Sequence, residues 1–325
     1  MATPVTLPKV DLILAPTPLH RLNNLSAELG IDLWIKRDDL TGFAMGGNKG
    51  RKLEYLMGQA LAEQAEVIVT CGGAQSNFVR QLAAACSMNN IRFAAAVMSL
   101  PYEFEPAEDA MKATGGNLLL DELLGADIHL LENDTWDVLY EAAAKLAQDY
   151  RAKGFRVYEI PIGGSTPQGA YAFYQAGLEI SQQADPFDAI LFASSSGSTQ
   201  TGLAYAFHGS NTKIMGMACD PEPDMPDEFV ALSAKLDELT GFGRILNRED
   251  YSFNLDYVGD GYGVPSEGGM NAIRTLAQRE GIFLDPIYSG KAFHGLLDLA
   301  TKGLLPKRVC FWHTGGTPAL FALPD

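Results

Sequence analysis

One pattern restricts this chain more than any other: a short apolar run, then a cluster of small or polar residues, then a stretch with helical periodicity. Residues 66–70 lead through Cys71-Gly72-Gly73 into a helix expected over 80–88. Residues 188–193 lead through Ser194-Ser195-Ser196-Gly197-Ser198-Thr199 into an Ala- and Leu-rich helix. Runs of this kind, apolar on both faces and separated by helices, predict an α/β protein with a largely parallel sheet. Residues 92–98, 156–160, 213–218 and 308–312 read as further strands. Trp136, Leu139, Tyr140, Ala143, Leu146, Ala147 and Tyr150 recur at helical spacing, and Gly154 ends that helix. No fixed-period repeat and no low-complexity linker divides the chain.

Composition removes several classes of function. With 47% hydrophobic residues in 325, the chain has material for packed cores, and whole-chain disorder is excluded. Its length favours two domains. Forty acidic against 24 basic residues give a net charge of −16, the wrong sign for a phosphate backbone, so no nucleic-acid partner is expected. The longest apolar stretches, such as 93–98, are far short of the ~20 residues that cross a bilayer, so no membrane partner is expected either. The start lacks a charged segment followed by a long apolar run, which suggests no signal peptide and a cytoplasmic protein. Cys71, Cys86, Cys219 and Cys310 form no C-x-x-C pair, and the five histidines show no H-E-x-x-H spacing. Buried free thiols and no metal are the expectation.

In open parallel sheets, functional loops follow the carboxyl ends of strands, and several such loops here are unusual. Lys36-Arg37-Asp38-Asp39-Leu40-Thr41-Gly42 is followed by Gly46-Gly47-Asn48-Lys49. Glycines there allow positive φ or a close backbone approach directly before a lysine, which suits an imine-forming amine. A solvated lysine at a helix start fits the same spacing. Gly72-Gly73-Ala74-Gln75-Ser76-Asn77 opens a helix whose unpaired N–H groups attract an anion, although an ordinary N-cap reads the same way. Ser194–Thr199 with Gly202 has the makings of a phosphate cup: hydroxyls and backbone donors converging at a helix start. It is neither a Walker A loop nor G-x-G-x-x-G, so a dinucleotide is disfavoured. Trp312-His313-Thr314-Gly315-Gly316-Thr317 leaves the last strand in the same manner.

Together these segments resemble the family containing D-cysteine desulfhydrase and 1-aminocyclopropane-1-carboxylate deaminase, within the tryptophan synthase β-like (fold type II) pyridoxal phosphate enzymes. The resemblance spans nearly the whole chain. It rests on Thr17-Pro18-Leu19, Ile35 through Asp39, Gly46 through Lys49, Gln75-Ser76-Asn77, Gly163-Gly164-Ser165, Gly261-Tyr262-Gly263, Leu284 through Lys291 and His313 through Gly316. It implies two open twisted, mostly parallel sheets flanked by helices. A large domain would comprise residues 1–50 and 161–325, with a small domain, 51–160, inserted between them. It also implies a homodimer and pyridoxal 5'-phosphate as cofactor.

By the same resemblance Lys49 is the lysine that holds the cofactor, Asn77 lies by the ring hydroxyl, and Ser195, Ser196, Gly197, Ser198 and Thr199 bind the phosphate. Gln75, Ser76 and Asn77 belong to the substrate carboxylate site. Tyr262 and Tyr288, followed by Ser289, stand over the reacting group, and Thr314 faces the pyridine nitrogen. The implied reaction is β-elimination on a small amino acid, with D-cysteine going to pyruvate, sulfide and ammonia. Members that open the cyclopropane ring carry glutamate at 289 and leucine at 314, where this chain has Ser289 and Thr314. L-cysteate sulfo-lyases are an alternative that Ser289 leaves open, and a catalytically inactive ligand-binding protein is another. Relatives commonly place His or Gln after the Ser-Asn pair. Phe78 stands there instead, and an apolar ring offers a substrate no hydrogen bond.

Overall fold

A computed structural model describes residues 6–102 and 110–324. Strands β1 (Leu19–Arg21), β2 (Asp32–Arg37), β7 (Ala189–Ser194), β8 (Lys213–Ala218), β9 (Ser252–Asn254) and β10 (Arg308–His313) form one sheet in the order β1-β2-β10-β7-β8-β9. All its pairings are parallel except that of β1 with β2. Strands β3 (Val67–Gly73), β4 (Arg92–Met98), β5 (Asp127–Leu131) and β6 (Val157–Glu159) form a second sheet, β5-β4-β3-β6, entirely parallel. The expectation of two mostly parallel, helix-flanked sheets is met.

Ten helices cover these sheets among the described residues: α1 (Asn23–Leu29), α2 (Lys49–Ala62), α3 (Asn77–Met88), α4 (Gly116–Leu123), α5 (Trp136–Ala152), α6 (Pro167–Gln183), α7 (Ser198–Ala206), α8 (Met225–Thr240), α9 (Glu267–Glu280) and α10 (Ser289–Thr301). The period of two along a strand assigns the faces. Cys310 and Trp312 of β10 and Ile190 and Phe192 of β7 pack under α6, α7 and α8. Val309 and Phe311, with Ala189 and Leu191, pack under α9 and α10. In the smaller sheet Ile68, Phe93, Ala95 and Val97 meet α2 and α3, whereas Val67, Val69 and Ala94 meet α5. Both sheets are therefore covered on two faces, which is why their strands read as apolar runs.

Three expectations are corrected. Cys71-Gly72-Gly73 belongs to β3, because its pairing with β4 continues to Gly73↔Met98. Lys36 and Arg37 belong to β2 and not to a loop. Lys36 is fully buried, with its ammonium bonded to the Thr17 carbonyl (2.8 Å) and to Glu179 and Gln183 (2.5 Å each). The helix after β3 starts at Asn77, capped by Ser76, whose Oγ accepts from the Val79 N–H.

Candidate active site

Loops leaving the carboxyl ends of β3, β7, β8 and β10 surround one cavity of about 350 Å3, within the range of small-molecule sites. Lys49, at the first position of α2, reaches into it. The loop before it needs glycine at position 46. Gly46 has φ +76°, and a Cβ there would lie 1.8 Å from the Asp39 carbonyl oxygen. Main-chain bonds from Gly47 N–H to Asp38 O (2.8 Å) and from Asn48 N–H to Thr314 O (2.9 Å) fix the approach. Below them the Asp38 carboxylate accepts from Arg51 Nε (2.9 Å), Thr17 Oγ1 (2.9 Å) and Trp312 Nε1 (2.8 Å). One buried carboxylate thus braces both the lysine helix and the strand that leads into Thr314.

Lys49 is not alone. Lys52, one helical turn on and therefore on the same face, also lines the cavity and donates to Gly163 O at 3.1 Å. Burial lowers the affinity of both amines for a proton. The Lys49 charge lowers that of Lys52 further, well below the ordinary lysine value. Two neighbouring buried ammonium groups repel, so Lys52 is the amine driven toward the neutral form, while its hydrogen bond to Lys49 partly offsets the effect of burial there.

At the end of β7, Ser195, Ser196, Gly197 and Thr199 line the cavity beside Lys52. Gly197 has φ +102°, and a Cβ would sit 2.7 Å from the Phe229 ring, so the backbone can approach a ligand only as glycine. Asn48 Nδ2 holds Thr199 Oγ1 at 3.2 Å. The Ser194 hydroxyl is buried and has no protein partner. α7 starts at this cup, where the Ser198 N–H donates to Ser165 Oγ at 3.4 Å and the helix dipole adds positive character.

Ser76 and Asn77 line the opposite wall. Ser76 both caps α3 and faces the cavity, so the two readings of that loop hold together. Tyr262 and Tyr288 close the roof with hydroxyls 2.5 Å apart. Burial raises both phenols above the usual tyrosine value, so both keep their protons at neutral pH. One proton is spent between them, and the other is left to donate. Beyond them Trp136 meets Tyr262 edge-on at 5.3 Å, and Trp136, Tyr140, Ile162 and Phe78 extend the apolar side of the cavity.

The structure does not bring three expected residues to the cavity. Gln75 spends its amide on the segment before α4: Nε2 donates to Lys112 O at 2.8 Å and Oε1 accepts from Asn117 N–H at 2.8 Å. Ser198 is buried against Gly164 O and the Ser165 hydroxyl. Ser289 is held by Asp285, donating to its Oδ1 at 2.5 Å. Sequence reasoning in turn passed over Lys52, Asp220, Glu222, Glu228 and Trp136, all of which line the cavity. Only Lys52 left a signal, its helical spacing from Lys49. Among the described residues no cluster of His, Cys, Asp and Glu could hold a metal ion, and no helix is long and apolar enough to cross a membrane.

Comparison with known proteins matches residues 10–315 to the family of pyridoxal-phosphate dependent enzymes. The D-cysteine desulfhydrase of Serratia proteamaculans is 37% identical over 97% of this chain and 96% of the relative. That of Salmonella newport is 38% identical with the same coverage. Among solved structures, an ACC deaminase homologue aligns with a TM-score of 0.88 and 34% identity, covering 97% of this chain and 94% of its own. O-ureido-L-serine synthase, 16% identical with a TM-score of 0.65 and coverage of 94% and 90%, shares the fold.

Proposed function

We propose that this chain, which belongs to the family of pyridoxal-phosphate dependent enzymes and is a lyase, eliminates the β-substituent of a small amino acid, with D-cysteine as substrate. The observation that carries this reading is the convergence of Lys49, the β7–α7 cup and the Tyr262–Tyr288 pair on one cavity.

The residues present suit the cofactor. A phosphate ester needs many donors and room for backbone contact. The cup supplies the Ser195, Ser196 and Thr199 hydroxyls, the α7 N-terminus, the orphaned Ser194 hydroxyl and the Lys52 amine. An aldehyde needs a neutral amine, and burial weakens the hold of the Lys49 amine on its proton. Asn77 and Thr314 would hold the ring hydroxyl and the ring nitrogen. When bound, the cofactor supplies an electron sink for the pair released at Cα.

This chain's own residues do the rest. Ser76 and the free N–H groups opening α3 bind the substrate carboxylate. Lys49 takes the Cα proton. The spare proton of the Tyr262–Tyr288 pair goes to sulfur as the Cβ–S bond breaks, so the leaving group departs as hydrogen sulfide. Pyruvate and ammonia follow after hydrolysis. Phe78, Trp136 and Ile162 exclude water from one side. Asp220, Glu222 and Glu228 outnumber the two lysines in the lining, which disfavours the additional sulfonate of cysteate. Ser289 is engaged by Asp285 and contributes nothing to either alternative.

We read the two sheets as two domains, 1–50 with 161–325 and 51–160, that carry the two walls of the site. Exposed Leu123 on α4 and Phe321 on the turn packed against it support a homodimer, and four buried free thiols support a reducing cytoplasm. The test is a panel of D-cysteine, L-cysteine, L-cysteate and 1-aminocyclopropane-1-carboxylate, with pyruvate, 2-oxobutyrate, sulfide and sulfite measured. Pyruvate with sulfide from D-cysteine is expected. Sulfite from L-cysteate as the dominant product would overturn the substrate. Lys49→Ala should lose turnover together with borohydride-fixed cofactor.

A further inference from the structure

Asn77 is an amide whose two ends differ in chemistry, and the structure settles which end faces the cavity. Its Oδ1 accepts from Arg80 Nη1 at 3.1 Å and from Asn117 Nδ2 at 2.9 Å. The Asn117 amide is itself fixed, because its Oδ1 takes Arg80 Nη1 at 2.5 Å and its Nδ2 also donates to Gln75 O at 2.7 Å. The guanidinium can only donate, so neither amide can be reversed without setting donor against donor. Asn77 lines the cavity with its oxygen occupied, and the end left over is Nδ2, a donor.

Arg80 itself is unusual. It is 1% exposed, its Nε has no partner, and its other bond runs from Nη2 to Gly46 O at 3.0 Å in the lysine loop. Asp121 of α4 and Asp285, in the segment before α10, reach it through charge alone, with no hydrogen bond among the described residues. A buried cation partnered by neutral amides and a carbonyl keeps its field, and that field acts through Asn77 on whatever lies beyond.

We propose that Arg80 and Asn117 are positioning residues that hold the Asn77 amide nitrogen toward the cavity and select an ionised oxygen there, the ring hydroxyl of the bound cofactor. This rests on the reading of the site given under Proposed function. The pair works without touching the ligand. It fixes the polarity of Asn77, and the Arg80 charge, passed on through a polarised amide, favours the deprotonated hydroxyl. Because Arg80 also holds Gly46, the same cation sets the spacing between Asn77 and the loop that delivers Lys49.

The experiment is a pH titration of the visible absorbance band of the holoenzyme, with borohydride trapping at Lys49 measured alongside. Asn117→Asp keeps the size of the side chain but places a carboxylate on Arg80 and removes the donor to Asn77. Its band midpoint should rise by about one pH unit or more, with trapping retained. Arg80→Lys keeps the charge and loses the fork, so its midpoint should rise by less. It serves as the second variant if Asn117→Asp does not fold. Midpoints equal to that of the unsubstituted protein, in a variant that still traps cofactor at Lys49, would overturn the proposal. Failure of the unsubstituted protein to trap cofactor at Lys49 would overturn the underlying reading as well, and is a distinct result.

Discussion

Asp38 offers the sharpest test of how this fold holds its site. Replacing it with alanine removes, at a fully buried position, the acceptor for Arg51, Thr17 and Trp312. Breaking a buried ion pair from one side costs about 3–5 kcal/mol. Here Arg51 keeps Glu179, at 2.8 Å through Nη1 and 2.9 Å through Nη2, which argues for the lower end, about 3 kcal/mol. The Trp312 indole N–H loses its partner inside the core, which adds about 1 kcal/mol or more. The expected loss is about 4 kcal/mol, a large share of the roughly 5–15 kcal/mol that folded proteins possess. Urea unfolding followed by tryptophan fluorescence, at fixed protein and cofactor concentration, reads it as a shift of midpoint at constant slope. Arg51→Met and the double variant complete the cycle. A coupling of about 2 kcal/mol is expected, because removing either group deprives the other of a buried charge partner. Single losses that add to within about 0.5 kcal/mol, or a shift for Asp38→Ala below about 1 kcal/mol, would refute the idea that this carboxylate is the brace.

Three further outcomes follow from the same geometry. Gly46→Ala forces a Cβ against the Asp39 carbonyl at positive φ, so borohydride trapping at Lys49 should be lost even where circular dichroism shows a folded protein; retained trapping would show that the loop tolerates a shift. Burial alone would raise the Glu179 carboxyl, but hydrogen bonds and charge from Arg51 and Lys36 hold it at about 2 against an ordinary 4.5. Its stabilising contribution is therefore complete above pH 4.5 and lost as pH falls through about 2. Glu179→Gln should flatten the acid limb of the stability profile in that window, and an unchanged limb would place the acid sensitivity elsewhere. Phe78→Gln, at a position 2% exposed, buries an amide in an apolar cluster and should cost about 2–4 kcal/mol in urea unfolding. It should also lower turnover, whereas a gain in turnover would mean that the residue after Asn77 is a substrate contact and not packing.

What the sequence made legible divides along physical lines. Strands β3, β4, β7, β8 and β10 were readable because helices cover both faces and each therefore needs a continuous apolar run. β2 was not, since Lys36 and Arg37 mark it as a loop until Glu179 and Gln183, far along the chain, are seen to satisfy the Lys36 ammonium. The cup and the Gly46-Gly47 turn were readable because local backbone geometry demands glycine and hydroxyls in contiguous positions. The pairings that tune the site were not, because each joins separate elements: Asp38 to Trp312 across 274 positions, and Arg80 to Asn117 across 37. Gln75 and Ser289 show the converse, residues in legible motifs whose polar atoms prove to be spent on the scaffold.

The electrostatics of the site follow from that division. The chain carries −16 overall, and carboxylates line the cavity beside its two lysines, yet the ligands proposed for it are a phosphate ester and a carboxylate. Bulk charge cannot attract them, and the Lys49–Lys52 pair is poorly suited to do so with two full charges, because burial weakens the hold of both amines on a proton and the Lys49 charge weakens that of Lys52 further. What remains is fixed and short-range: helix N-termini at α3 and α7, hydroxyls held by their own scaffolding bonds, and an amide polarised by the buried guanidinium of Arg80. Such donors need little reorganisation when the ligand arrives, and they discriminate by position more than by charge. On the proposed function, an acidic protein can in this way bind two anions in one cavity while burial weakens the hold of the Lys49 amine on its proton, which the chemistry requires and a solvated lysine would not provide.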